Sequence, residues 1–163
     1  MDKYNILIAE DDKEIARSIG IYLKNENFEI FYAEDGLEAL EIFKNEKIDL
    51  IIMDLMMPKL SGEEAIIKLR EVSFVPIIIL SAKSEDTDKI FGLNIGADDY
   101  VQKPFNPMEL IARVKSNLRR FYAYDLKKDR NFIEIGSIKL DLSQKIAYVE
   151  DKPVALTSIE FKI

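Results

Sequence analysis

Histidine, cysteine and tryptophan are all absent from this chain of 163 residues. Without histidine and cysteine, the sequence excludes disulfides, imidazole or thiolate metal sites, and Ser-His-Asp or Cys-His catalysis. For the same reason the chain can carry no phosphohistidine of its own. The groups that remain for chemistry are carboxylates, lysine amines and hydroxyls.

Long hydrophobic runs are also missing. The longest apolar runs, such as residues 77–80, fall far short of the roughly 20 residues of a membrane-spanning helix. The first four residues do not resemble a signal peptide. With 48% hydrophobic and 33% charged residues, the composition is that of a soluble globular protein with one full domain and part of a second. We therefore expect a cytoplasmic protein with no membrane partner.

Basic residues are fewer than acidic residues, with 23 Lys and Arg against 30 Asp and Glu. The net charge of -7 arises within residues 1–121, while the charges of residues 122–163 balance. An acidic surface argues against a large contact with a nucleic-acid backbone. The sequence therefore indicates no surface that would read DNA.

Short β-branched runs alternate with helical periodicity as far as residue 121. The runs at 6–9, 29–32, 50–53, 76–80 and 100–101 predict five strands. Helices follow them, and the residues predicted to face inward are Ile15, Ile19, Leu23, Ala39, Leu40, Phe43, Ala65, Ile66, Leu69, Ile90, Leu93, Leu110, Ile111 and Val114. Strands that are apolar on both faces indicate a parallel sheet covered on both sides. The sequence predicts an α/β fold, a (βα)5 doubly wound parallel sheet.

The pattern changes after residue 121. Residues 122–131 are rich in charge without periodicity, which is typical of a linker. The short runs 132–135, 137–140, 145–149 and 154–155 predict a small antiparallel β-sheet. Residues 157–160 match a capping box, which signals the start of a helix. Because so small a sheet buries little core, we expect residues 132–163 to belong to a larger domain.

Polar residues follow the predicted strands at the edge where ligands bind in sheets of this kind. They are Glu10, Asp11, Asp12, Asp54, Ser81 and Lys103. Parallel pairing would bring Asp11 and Asp54 together beside Glu10, and the repulsion of these carboxylates requires a compensating cation. Oxygen ligands with room for water suit Mg²⁺ or Mn²⁺. The alternative is that this acidic run only stabilises the start of a helix.

Lys103 and Ser81 complete this set of residues. A lysine after the last strand would meet the acidic cluster and could bind a second anion, such as a phosphoryl group. The bond between Lys103 and Pro104 is of the kind that adopts the cis form most readily. Taken alone, Lys103 fits a surface lysine before a helix equally well, and Ser81 fits a turn residue.

The motifs at these strand ends resemble those of a known family. They are Glu10-Asp11, residues 51–58 around Asp54 with Gly62 after them, residues 80–83, and residues 96–105. Together they resemble the receiver domain of bacterial two-component response regulators, a CheY-like fold, over residues 1–121. After the linker at 122–131, residues 132–163 resemble the first β-sheet and helical turn of a winged-helix DNA-binding domain of the OmpR/PhoB subfamily, here incomplete.

The resemblance implies a site for phosphoryl transfer. Asp54 would be the phosphoacceptor and would take the group from a phosphohistidine of a sensor histidine kinase. Mg²⁺ would be held by Asp11, Asp54 and the carbonyl oxygen of Met56, with Glu10 acting through water. The chain would catalyse only its own phosphotransfer and a slow autodephosphorylation, so it is not expected to be an enzyme in the usual sense.

The resemblance also implies a switch. Lys103 and Ser81 would contact the phosphoryl oxygens, and Tyr100 would rotate inward as Ser81 is drawn toward the phosphate. Met56 and Lys83 occupy positions where such domains adjust the access of hydrolytic water.

Phosphorylation would then form a homodimer through the fourth helix, fifth strand and fifth helix. The candidate residues of this dimer face are Lys89, Ile90, Leu93, Asp98, Asp99, Glu109, Ile111, Arg113 and Lys115. The complete effector domain would bind promoter DNA, and this chain alone is expected to bind specific DNA weakly or not at all.

Three other functions fit parts of the pattern. A phosphatase or mutase of the haloacid dehalogenase type also uses Asp, Mg²⁺ and Lys, but it needs a second Asp where this chain has Met56. A nucleotide-binding protein would need a glycine-rich phosphate loop, which the sequence lacks. A stand-alone receiver, acting as a protein-binding switch or a phosphate sink, remains the open alternative.

Overall fold

The computed structural model describes residues 3–83, 85–128, 132–136, 138–141, 146–149 and 152–155. The chain divides into two compact units, Met1–Arg119 and Arg120–Ile163. Among the described residues, none of the helices is long and apolar enough to cross a membrane.

The first unit alternates strands and helices, and the last helix extends beyond its boundary at Arg119. In chain order these are β1 (Asn5–Ala9), α1 (Lys13–Asn25), β2 (Glu29–Ala33), α2 (Gly36–Asn45), β3 (Leu50–Met53), α3 (Gly62–Arg70), β4 (Ile77–Ser81), α4 (Asp86–Asn94), β5 (Asp99–Gln102) and α5 (Pro107–Lys128). The five strands pair in parallel in the order β2-β1-β3-β4-β5. The predicted doubly wound (βα)5 fold is confirmed.

The central strands explain why the sequence folds in this way. All residues of β3 and β4 are buried, as are those of β1 after Asn5. Strands that are buried on both faces need helices on both sides of the sheet. Polar side chains fix where those helices begin: Asp12 Oδ1 accepts hydrogen bonds from the backbone amides of Glu14 at 3.0 Å and Ile15 at 3.2 Å. Asp12 therefore caps α1, as the alternative interpretation of the acidic run predicted for this residue.

Helix α4 packs differently from the prediction. Ile90 and Leu93 were predicted to face the core, but their exposed fractions are 59% and 44%. Gly92 is the residue of α4 that is buried, and a Cβ there would lie 2.7 Å from the Cδ1 atom of Ile79. The prediction for Ile90 and Leu93 is wrong because the helix approaches the sheet through its glycine, which turns both apolar side chains outward.

The second unit contains an antiparallel sheet of four strands. They are β6 (Phe132–Ile135), β7 (Ile138–Asp141), β8 (Ile146–Val149) and β9 (Lys152–Ala155), each paired with the next. The described part of the predicted linker, residues 122–128, is the end of α5. This stretch contains neither glycine nor proline, so nothing in it ends the helix. The helix predicted from residue 157 lies outside the described residues.

Gly62 begins α3 directly against the backbone that follows β3. A Cβ at this position would overlap the carbonyl oxygen of Asp54 and lie 2.8 Å from Leu55 Cα. Because these backbone atoms cannot easily move aside, we expect Gly62→Ala to lower the free energy of unfolding by about 1–3 kcal/mol. Urea denaturation measures this change, with Lys68→Ala on the exposed side of α3 as the control. Equal unfolding midpoints for the two variants would contradict the packing described.

Candidate functional site

The carboxylates gather where β1 and β3 end side by side. Ala9 and Met53 are register partners in the sheet, so Glu10 and Asp54 leave adjacent strand ends. The Asp54 amide donates to the Ala9 carbonyl oxygen at 2.9 Å, which fixes the separation of the two backbones. One carboxylate oxygen each from Glu10, Asp11 and Asp54 lie within 4.8 Å of one another. The sequence prediction that these residues come together agrees with this geometry.

Burial makes this proximity costly. Glu10 is 3% exposed and Asp54 is 6% exposed, whereas Asp11 lies at the surface. Burial first, and then the nearby carboxylate of Asp54, raise the pKa of Glu10 to about 8. Ionising Glu10 therefore costs free energy, because it places a second negative charge beside Asp54 in a buried site.

Lys103 supplies the positive charge at this site. Its amide donates to the Ser81 carbonyl oxygen at 2.8 Å, which continues the pairing of β4 with β5. Its Nζ atom lies 2.8 Å from Glu10 Oε1 and 3.2 Å from Asp54 Oδ2. Burial opposes the charged ammonium, but the hydrogen bond to Glu10 and the attraction of Asp54 outweigh it and raise the pKa of Lys103. The Lys103–Pro104 peptide bond is cis.

The carboxylate oxygens of Glu10, Asp11 and Asp54 fit a hard divalent cation. One lysine faces three carboxylates, so the cluster keeps an excess of negative charge. Glu10 Oε2 is buried and receives no hydrogen bond from the part of the chain that the structure describes. All the available donors are oxygens, and the exposed side chain of Asp11 leaves access for water ligands. This donor set is the kind that Mg²⁺ and Mn²⁺ prefer.

Ser81 and Tyr100 meet through the backbone of Lys83. Ser81 is buried at the end of β4, and its Oγ atom accepts a hydrogen bond from the Lys83 amide at 3.3 Å. Tyr100 is buried on β5, and its hydroxyl donates to the Lys83 carbonyl oxygen at 2.8 Å. Burial raises the pKa of Tyr100. In this structure the ring of Tyr100 already faces inward, and its predicted rotation stays a prediction.

Most of the charged residues predicted for a dimer face have partners within the chain. Asp99 Oδ1 lies 2.7 Å from Arg113 Nη1, and Arg113 Nη2 lies 3.0 Å from Glu109 Oε1. Asp98 pairs with Arg70 at 2.9 Å. In addition, Lys115 pairs with Glu26 at the end of α1.

The apolar residues predicted for the same face do not all reach the surface. Ile90 and Leu93 are exposed and Lys89 is half-buried, but Ile111 is only 7% exposed. Ile111 follows the buried Leu110 on the side of α5 that packs inward, so its assignment to a surface is wrong.

Arg70 was not found by sequence reasoning. Its guanidinium donates from Nε to the Gly96 carbonyl oxygen at 2.8 Å and from Nη1 to the Val75 carbonyl oxygen at 2.7 Å. Arg70 Nη2 also donates to Asp98 Oδ2 at 2.9 Å, and this oxygen accepts a second hydrogen bond from the Ile77 amide at 2.9 Å. These contacts tie the start of β4 to the turn before β5. A single arginine at a helix end carries no sequence signal for such a role.

A match to a protein family agrees with this site. The family model described as the response regulator receiver domain matches residues 6–115. The chain belongs to this family. It is thus a receiver domain of the two-component response regulators, followed by further residues.

Relatives of this receiver domain include transcription regulators and solved structures. Regulatory protein VanR of Enterococcus faecium is 43% identical over 160 residues, which are 97% of this chain and 69% of that protein. The receiver domain of the Francisella response regulator 1452 has a TM-score of 0.71 and 39% identity, covering 73% of this chain and 99% of that one. The response regulator DrrB, titled a Thermotoga maritima OmpR/PhoB homologue, has a TM-score of 0.63 and 29% identity, covering 99% of this chain and 70% of that one.

The raised pKa of Glu10 predicts how stability depends on pH without metal. Between the ordinary glutamate pKa of about 4.3 and the folded value, the folded state holds a proton that the unfolded state has lost. The free energy of unfolding should therefore fall as the pH rises from 5 to 8. Glu10→Gln cannot lose this proton, so its stability relative to the unsubstituted chain should increase over that range, by at most about 1.4 kcal/mol per pH unit.

Urea denaturation in chelator at several pH values measures this difference. Glu64→Gln, at an exposed position on α3, provides the matched control for the loss of one carboxyl group. A Glu10→Gln difference that varies with pH no more than that of the control would contradict the assigned protonation of Glu10.

Proposed function

We propose that this receiver accepts a phosphoryl group on Asp54 from a phosphohistidine of a sensor histidine kinase, in the presence of Mg²⁺. The modification would then control transcription through a winged-helix domain of the OmpR/PhoB type. The observation that carries this proposal is the buried Asp54 carboxylate, 3.2 Å from Lys103 Nζ and grouped with the carboxylates of Glu10 and Asp11.

The transfer needs a nucleophile and a fixed geometry. An Asp54 oxygen forms a bond to phosphorus while the phosphorus–nitrogen bond of the donor breaks, and the electron pair remains on the imidazole. Asp54 Oδ1 accepts a hydrogen bond from the Met56 amide at 3.2 Å, and Oδ2 faces Lys103. The carboxylate is therefore held in one orientation before a donor arrives. The donor histidine must lie outside residues 1–163, because these contain none.

Glu10, Asp11, Asp54 and the Met56 carbonyl oxygen are the proposed ligands of Mg²⁺. The bound ion would neutralise negative charge on the transferring oxygens. Lys103 would perform a related task, because its ammonium can leave Glu10 and pair with a phosphoryl oxygen. Glu10 and Asp11 thus serve to hold the cation, and Lys103 serves to hold the anion.

Ser81 and Tyr100 form the proposed switch. The Ser81 hydroxyl accepts from Lys83 and still has its own proton to donate to a phosphoryl oxygen. The Tyr100 hydroxyl is hydrogen-bonded to the carbonyl oxygen of the same Lys83. A movement of Ser81 would therefore be transmitted to Tyr100 through the backbone of Lys83. A slow autodephosphorylation would reset the switch.

The proposed output is a homodimer formed through α4, β5 and α5. Ile90 and Leu93 offer exposed apolar surface there. The pair of Asp99 with Arg113 would exchange partners with a second copy. Promoter DNA would bind to the effector domain rather than to this acidic receiver. The match to the regulatory protein VanR extends over 97% of this chain, beyond the receiver, which supports a regulator with a further domain over a stand-alone receiver.

Acetyl phosphate tests the phosphoacceptor directly. Incubation with acetyl phosphate and Mg²⁺ should add one phosphoryl group, about 80 Da by intact mass, because Asp54 is held ready for attack. Asp54→Asn and removal of Mg²⁺ by chelator should each abolish the gain. Asp49→Asn changes another buried aspartate, at the opposite end of β3, and should leave the gain intact. Labelling that persists in Asp54→Asn would contradict the assignment.

Beryllofluoride, a mimic of the phosphoryl group, tests the switch separately from the chemistry. With Mg²⁺ and beryllofluoride the unsubstituted chain should dimerise, as measured by sedimentation equilibrium. Ser81→Ala removes the hydroxyl and should weaken this dimer at least about fivefold, the lower end of typical coupling between sites. Ser18→Ala, exposed on α1, is the control. Equal dimerisation of both variants would remove Ser81 from the switch.

A further inference from the structure

An open cleft lies beside the proposed phosphoacceptor site. It has a volume of about 560 Å³, and Asp11, Met56, Glu63 and Lys83 are among the residues that line it. Asp11 belongs to the acidic cluster, so the cleft leads to that cluster from the solvent. A volume of this size admits a small phosphorylated molecule.

An ion pair lies on the wall of this cleft. Lys83 Nζ is 3.5 Å from Glu63 Oε1, and both side chains are partly exposed. Glu63 stands in the first turn of α3, whose start is fixed by the Ser61 cap and by the close contact of Gly62 with Asp54. The carboxylate of Glu63 therefore projects from a rigid base.

The base of the Lys83 side chain is also fixed. The Lys83 amide donates to Ser81 Oγ, and its carbonyl oxygen accepts from the Tyr100 hydroxyl. The aliphatic stem and the ammonium of Lys83 are not held by these two hydrogen bonds, so the ammonium can pair with different anionic groups. Glu63 is the partner that the ammonium has in this structure.

We propose that Glu63 is a positioning residue that holds the Lys83 ammonium away from Asp54 and thereby weakens the capture of small anionic phosphodonors through the cleft. The inference rests on the proposed function of Asp54. Without its carboxylate partner, the Lys83 ammonium would attract a dianionic donor into the cleft. Glu63 itself repels the same anion. Both effects favour transfer from a protein donor over transfer from a small molecule.

Acetyl phosphate serves as the probe of this small-molecule route. An Asp54 oxygen bonds to phosphorus as the bond from phosphorus to the acetyl oxygen breaks, and acetate leaves with the electron pair. The initial rate of labelling is measured by intact mass against acetyl phosphate concentration at fixed Mg²⁺. We expect Glu63→Gln to lower the half-saturating concentration about threefold, the scale of a partly exposed ion pair, with little change in the maximal rate.

Two matched variants separate this effect from a general change of charge. Glu64→Gln removes the same charge from the next residue, which is exposed, and should behave like the unsubstituted chain. In a Lys83→Met background, Glu63→Gln should change the half-saturating concentration much less, because this variant has no Lys83 ammonium for Glu63→Gln to release. The effect of Glu63→Gln should also shrink in high salt.

The outcomes are distinguishable. Absence of labelling in the unsubstituted chain would overturn the proposed function and this inference with it. If the chain is labelled on Asp54 but Glu63→Gln matches Glu64→Gln, the inference fails and the proposed function stands. A full effect of Glu63→Gln in the Lys83→Met background would also overturn the role assigned to the pair. A change in maximal rate alone would indicate distortion of the site and would overturn it too.

Discussion

The crowding of carboxylates around a single lysine is the constraint on which the rest of this structure depends. Glu10 and Asp54 cannot move apart, because the parallel pairing of β1 and β3 fixes their backbones at the strand ends. Burial removes the water that would screen their repulsion. Lys103 compensates part of this charge. In the proposed function, the remaining negative charge attracts a cation, and the bound cation would then favour an anionic phosphoryl group.

The arrangement also explains how a local change of charge could reach a distant surface. The acidic site and the proposed switch share Ser81, whose carbonyl oxygen accepts from the Lys103 amide and whose hydroxyl oxygen accepts from the Lys83 amide. Lys83 in turn holds Tyr100, and the glycine of α4 lies against the same ring. A phosphoryl group that draws on Ser81 would therefore act on α4 and β5 through direct contacts.

Most of the fold and the acidic cluster could be predicted from the sequence. Strands that are continuously apolar predict a parallel sheet. In such a sheet the residues that directly follow the strands lie together at one edge. This rule identified Glu10, Asp54 and Lys103 as candidate site residues. The errors arose where a pattern does not report a contact. Ile90 and Leu93 have the spacing of inward-facing helical residues, yet Gly92 is the residue of α4 that packs against the sheet. Arg70 and Glu63 make tertiary contacts that leave no periodic pattern in the sequence.

The central claim is that the excess negative charge of Glu10, Asp11 and Asp54 forms a cation site beside the phosphoacceptor. Calorimetric titration with Mg²⁺ tests it most directly. The account predicts one Mg²⁺ per chain near neutral pH, bound with release of a proton because the pKa of Glu10 is about 8 in the metal-free site. Asp11→Asn and Asp54→Asn should each weaken binding strongly. Binding that both substitutions leave unchanged, or no binding at millimolar Mg²⁺, would contradict it.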